Sequence, residues 1–245
     1  MATNSTTSQP LPIGLRIEST RDLLDALRLG TNLMGADLSE TILSRGLFDN
    51  AKMPKASFYR SNLRSVSFRN ADLRMANLRR VDIERAVFNG ADLRGANLSL
   101  AVGDYAAFSQ AKLDKASLQG GRFNGATFDQ ASLVAAKLTE GNFFESSFQK
   151  VNLQRANLAQ TSLVSVNLSA ADLRQANLCE VNLSGADLTG ILIEGADFSK
   201  ARMSEEQRFL LIDRASGTNA ITGNTTLDTL RDAGTTKPRK LFGLI

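Results

Sequence analysis

Six aspartates recur at related places along the chain: Asp72, Asp82, Asp92, Asp172, Asp187 and Asp197. Two carboxylates held in different environments can do general acid–base work. Asparagine, however, takes the equivalent places in neighbouring stretches, and an amide cannot move a proton. The pattern suits turn and outer-face hydrogen bonding instead. Serine and threonine are abundant, but the chain has no histidine, which removes Ser-His-Asp, Cys-His and imidazole-based catalysis. Cys179 is the single cysteine, so no intramolecular disulfide and no His/Cys metal site can form. It follows a leucine and is expected to point outward. The stretch GGRFNG at 120–125 lacks both the strand–helix context and the lysine of a phosphate loop. These absences predict a protein that is not an enzyme and uses no cofactor, metal or small-molecule substrate.

The basic side chains carry more information. Residues 55–94 contain Lys55, Arg60, Arg64, Arg69, Arg74, Arg79, Arg80, Arg85 and Arg94, against the acids Asp72, Asp82, Glu84 and Asp92. A belt of this kind fits an acidic protein surface or a phosphate backbone. Single-stranded nucleic acid is held by interleaved aromatics; here Tyr59 and Tyr105 are the only tyrosines and tryptophan is absent. The expected partner is therefore a protein with an acidic surface. A second candidate docking element is the C-terminal KPRKLFGLI, with Lys237, Arg239, Lys240 and Phe242.

A strict period positions these residues. Stepping by five from Leu33 to Met203 meets 35 positions, of which 20 are Leu and 10 are Phe. Two residues before each stands a small residue, Ala in 21 cases. Period five fits neither a helix nor a flat strand. All of these residues can be buried only if the chain turns a corner every five residues. The small and large residues then point inward, and the other three point out. Four corners close a square coil of 20 residues, with coils ~4.8 Å apart. Phe48, Phe68, Phe88, Phe108, Phe128 and Phe148 are spaced by 20 and should form one stacked inner ladder. The belt arginines Arg64, Arg69, Arg74 and Arg79 share one repeat position on four successive faces, forming a ring around one coil. Gly103 interrupts the series in LAVGDYAAF without shifting the frame, which reads as a tolerated gap filled by Phe123 rather than a bulge displaying Tyr105.

With its ADL and ANL triplets, as at 71–73, 76–78, 91–93 and 96–98, the stretch 31–203 resembles the pentapeptide-repeat family. The resemblance implies a right-handed quadrilateral β-helix, here of about nine coils. It also implies interaction functions. Some members of that family mimic duplex DNA and protect DNA gyrase, but such mimicry needs an acidic surface. The stretch 31–203 has 20 Lys+Arg against 17 Asp+Glu, so the charge has the wrong sign. The family's abundance in cyanobacteria raises a linker or assembly role on an acidic photosynthetic antenna complex. The reading favoured by the residues is a non-enzymatic protein–protein interaction scaffold.

The chain has 245 residues and a formal charge of +4. Its opening MATNSTTSQPLP has no secretory pattern, and no apolar run is long enough for a membrane span; a cytoplasmic location is expected. Three parts are expected. Residues 1–30 are a polar leader with a capping helix over STRDLLDALRLG, N-capped by Ser19 or Thr20, apolar through Leu23, Leu24 and Leu27, and stopped by Gly30. Residues 31–203 are the β-helix. Residues 204–245 are a capping helix over SEEQRFLLIDRASG, with a Ser204–Gln207 capping box, Phe209, Leu210 and Ile212 over the last coil and Gly217 as its end, then one helical turn near Leu227–Asp232 and the basic, apolar tail.

Overall fold

The computed structural model describes residues 20–28 and 33–235. The fold is set by one backbone device. Every fifth residue from Gly35 to Lys200 has φ between 54 and 71°. It is the third residue of a turn closed by the next amide, as in Ala36 N–H to Leu33 O at 3.1 Å and Ala76 N–H to Leu73 O at 3.0 Å. A left-handed residue at that place alone makes a type II turn. Two further donors climb to the next coil: Leu38 N–H reaches Ser57 O at 2.7 Å and Glu40 N–H reaches Tyr59 O at 2.8 Å. The polar residue of the triplet bonds downward, as in Ser57 N–H to Ala36 O at 2.9 Å. Parallel bridges therefore link the middle residue of each triplet to the one twenty further on, from Asp37↔Ser57 to Asn182↔Arg202. Each coil has four such sides, as the period of five demands.

The interior follows the predicted pattern. The small and the large residue of each repeat are buried almost without exception. The phenylalanine ladder is present: successive centroids from Phe48 to Phe148 lie 5.3, 5.5, 5.0, 4.8 and 4.6 Å apart. A shorter second stack, Phe123 on Phe143 at 5.3 Å, meets it edge-on through Phe128. Gly103 keeps the regular bonds, with its N–H on Arg122 O at 2.7 Å. A Cβ there would lie 2.6 Å from the Phe123 ring, so Phe123 occupies the space that a side chain would need.

Helix α1 (Thr20–Arg28) buries Leu23 and Ala26 and packs Leu24 against the core. Ser19, Gly30 and the tail residues Lys237, Arg239, Lys240 and Phe242 lie outside the described residues, and so does the side chain of Leu27. Strand β1 (Arg202–Met203) leads into α2 (Glu205–Ile212), whose Ser204–Gln207 capping box is formed. Gln207 also donates to Leu183 O and Ala186 O at 2.9 and 2.8 Å. That bond fixes the helix phase and corrects the expected contact. Leu211, four residues after Gln207 and on the same face, is buried, and Ile212 packs partly buried against the core as expected, whereas Phe209 and Leu210 are exposed. Asp213, not Gly217, caps the end of α2. Helix α3 (Thr226–Arg231) and strand β2 (Gly234–Thr235) follow, with β2 pairing parallel to β1. Asn219 donates to Gln175 O, Ala176 O and Gly195 O, and Phe198 N–H donates to Thr229 Oγ1 at 3.0 Å. Side chains thus supply hydrogen bonds that a further coil would otherwise make.

Filling the Gly103 position tests this packing. Gly103→Leu overpacks the Phe123 ring and should cost about 1–3 kcal/mol in urea-induced unfolding of the full chain. Adding Phe123→Leu should recover most of that loss. An unchanged midpoint for Gly103→Leu alone would contradict the account.

Candidate functional site

The aspartates of the repeats are committed to structure. Asp37, Asp72, Asp82, Asp92, Asp172, Asp187 and Asp197 each accept the amide N–H two residues later, at 2.9 to 3.3 Å. Asn62, Asn77 and Asn97 do the same. Where the polar place holds another residue, a carboxylate from the coil below can substitute. Asp49 accepts Arg69 N–H and the Ser67 hydroxyl, and Asp114 accepts Val134 N–H and the Ser132 hydroxyl. An amide that neither pairs nor meets water is costly, which explains why Asp and Asn interchange here. Cys179 is half-buried, and burial pushes its thiol upward. Among the described residues, no group of three His, Cys, Asp or Glu side chains could hold a metal ion.

The arginine belt divides in two. Arg64 pairs with Asp82 at 3.2 Å and Glu84 at 2.5 Å. Arg74 grips Asp72 with Nε and Nη2 at 2.8 and 2.7 Å, and Arg94 grips Asp92 at 2.8 and 2.6 Å. Arg60 is looser: it lies 3.7 Å from Glu40 and 5.2 Å from the Tyr59 ring centroid. Arg85 lies 3.9 Å from Glu84 and 5.9 Å from the Tyr105 ring. Arg69 donates to the Ser67 hydroxyl at 2.8 Å. Arg79 and Arg80 have no acid within ion-pair distance among the described residues. Because Arg64, Arg69, Arg74 and Arg79 project from four different sides of the coil, the structure does not gather them into one patch.

Two features of the exterior are not evident from the five-residue period alone. Large apolar side chains stand exposed at Met34, Met75, Phe144 and Leu192. A groove runs along the corner that carries Lys55, Met75, Gly95 and Lys115. Reading the sequence in steps of twenty would have brought these corner residues together.

The pentapeptide-repeat family model matches eight copies, over residues 31–70, 61–99, 82–120, 106–143, 142–178 and 180–205. With the 20-residue parallel coil already evident, the chain belongs to the pentapeptide-repeat family, whose members form right-handed quadrilateral β-helices and are generally structural or interaction proteins rather than enzymes. Among solved structures it is similar to HetL, a pentapeptide repeat protein involved in heterocyst differentiation regulation from the cyanobacterium Nostoc sp. strain PCC 7120. The identity is 26%, over 75% of this chain and 96% of that one, with a TM-score of 0.28. A pentapeptide repeat protein from the Arabidopsis thaliana thylakoid lumen is 31% identical over 57% of this chain and 87% of its own, TM-score 0.30. Full-length QnrB1, a plasmid-mediated fluoroquinolone resistance protein, is 17% identical over 74% and 95%, TM-score 0.32. No curated protein sequence matches the chain. No described helix is long and apolar enough to cross a membrane.

The carboxylates predict a pH dependence. Hydrogen bonds from Arg74 hold Asp72 below the usual carboxylate range. At Asp92 and Asp172 burial pushes the other way, and the hydrogen bonds and charge of Arg94 and Arg174 outweigh it. A carboxylate depressed in the folded state stabilises above its unfolded pKa, about 4. That stability is lost as pH falls through the lower folded value. These pairs are partly solvent-screened, so each contributes about 0–1 kcal/mol. The melting temperature should stay flat from pH 7 to about 5 and fall below about 4. Asp72→Asn with Asp92→Asn and Asp172→Asn should make that fall shallower. An equally steep fall in the triple variant would contradict the assignment.

Proposed function

We propose that this chain is a non-enzymatic interaction protein, a rigid rod that docks a protein partner through its exterior. Residues 31–203 form the docking rod. The flanks 1–30 and 204–245 cap its ends, and the tail residues Lys237, Arg239, Lys240 and Phe242 add a second contact. One observation carries the reading: the carboxylates that could do chemistry are spent on backbone amides and arginines. What remains is a regular outer surface with cations and apolar side chains at fixed spacings. Arg79 and Arg80, without acid partners among the described residues, and the loosely paired Arg60 and Arg85 are the belt members suited to an acidic partner. Arg64, Arg69 and Arg74 contribute at its edges. A cytoplasmic location goes with this proposal.

The test is capture with full-length protein from the source cell, read by mass spectrometry, followed by reconstitution of the purified pair. The expected result is one protein with an acidic surface, bound at fixed stoichiometry and weakened at least tenfold by Arg79→Glu with Arg80→Glu. Recovery of gyrase subunits, with inhibition of supercoiling by the pure protein, would replace this reading by gyrase protection. Recovery of an acidic antenna complex would specify an assembly role.

A further inference from the structure

A groove of about 670 Å³ follows one corner of the rod. Its shape comes from the corner column Gly35, Lys55, Met75, Gly95 and Lys115, one residue per coil, each in the left-handed region. Gly95 offers no side chain, and Met75 leans toward it from the coil below: a Cβ on Gly95 would lie 3.6 Å from Met75 Cγ. The result is an apolar notch beside a methionine that is 62% exposed. Lys55 and Lys115 lie along the groove three coils apart, and Arg74 and Arg94 line its side. Asp72 and Asp92 neutralise those two arginines; Asp114, on the same wall, accepts from the Ser132 hydroxyl and Val134 N–H, keeps its negative charge and makes no ion pair among the described residues. Lys55 and Lys115 have no acid within ion-pair distance among the described residues. The groove therefore has an apolar centre and a lysine without an ion pair toward each end, and its lining is net positive.

We propose that this corner binds an extended segment of a partner protein with the pattern acidic–x–apolar–x–acidic, running along the rod axis. The proposal rests on the interaction reading above and names the chemistry of the partner. At one coil per ~4.8 Å, the Lys55 and Lys115 backbones stand ~14 Å apart. An extended chain advances ~3.4 Å per residue with alternate side chains on one side, so its first, third and fifth residues span ~14 Å. Carboxylates at the first and fifth places reach the two lysines. The third side chain falls ~7 Å along, over the notch between Met75 and Gly95. Four steps of an extended peptide span three coil spacings, and its carboxylates complement the two lysines. A phosphodiester chain offers no apolar side chain for the notch.

The test is fluorescence anisotropy with the full chain and a labelled peptide carrying Glu-Ser-Leu-Ser-Glu. It is compared with a scrambled Glu-Glu-Ser-Ser-Leu peptide and a DNA duplex of arbitrary sequence. The ordered peptide should bind at least tenfold tighter than the scrambled one. Lys55→Glu with Lys115→Glu should lose at least tenfold and acquire a preference for Lys-Ser-Leu-Ser-Lys. Gly95→Gln, which places at this corner a side chain already carried at corners such as Gln110 and Gln130, should fill the notch. It should weaken binding at least fivefold while leaving the far-ultraviolet dichroism unchanged. Equal binding of the two glutamate peptides, an unaffected charge-reversed variant, or a duplex that displaces the peptide would each overturn the proposal. If the charge-reversed chain still captures the cellular partner at full strength, the groove assignment falls and the interaction reading stands. If the unaltered chain captures no partner, the interaction reading itself falls.

Discussion

An L-residue in the left-handed region costs on the order of 1–2 kcal/mol, yet this chain places one at 26 of the 34 corners from Gly35 to Lys200, with glycine at the other eight. Each corner redirects the chain so that the next triplet lies along a new side of the coil. It also aims two amides at the coil above and lets the polar residue bond the coil below. The leucine or phenylalanine before the corner and the small residue after it both face inward. Burying each large one contributes roughly 1.5–3 kcal/mol, which offsets the strain of the turn. Both the interior ladder and the exterior lattice depend on that repeated corner.

The same lattice decides what the exterior can do. Amides near the corners are satisfied by Asp or Asn, either from the same triplet or from the coil below, and arginines then clamp several of the carboxylates. The repeat aspartates are therefore part of the wall, as their interchange with asparagine suggested, and arginines that looked like a belt are divided among four sides. What is left for recognition is positional: side chains repeated at one coil spacing along a face or a corner, on a backbone that makes neighbour-to-neighbour contacts only.

Much of this was legible in the sequence because the period is strict. The inward set from Leu33 to Met203, the 20-residue coil, the phenylalanine ladder and the Ser204 capping box all follow from spacing and residue type. Gly103 was readable as a filled gap because the frame runs through it. The face of α2 was only partly readable: Ile212 packs against the core as expected, but Phe209 and Leu210 look as suitable as Leu211 until Gln207 is seen bonded to Leu183 O and Ala186 O. Nor did spacing say which arginines are neutralised, since Arg74 and Arg79 share a repeat position but only Arg74 has an acid two residues earlier; Arg79 has Asn77. The corner groove stayed hidden because residues 35 to 115 come together only along the rod axis, sixteen repeats from end to end.

The most direct measurement is oxidative footprinting of the full-length protein, free and in complex with its captured partner. The exposed Met75 side chain is an intrinsic probe, and Met34 lines the same groove. If the rod docks its partner along this corner, both methionines lose reactivity in the complex while Phe144 and Leu192, away from it, keep theirs. Protection confined to Phe144 or Leu192, with Met75 unchanged, would contradict the account.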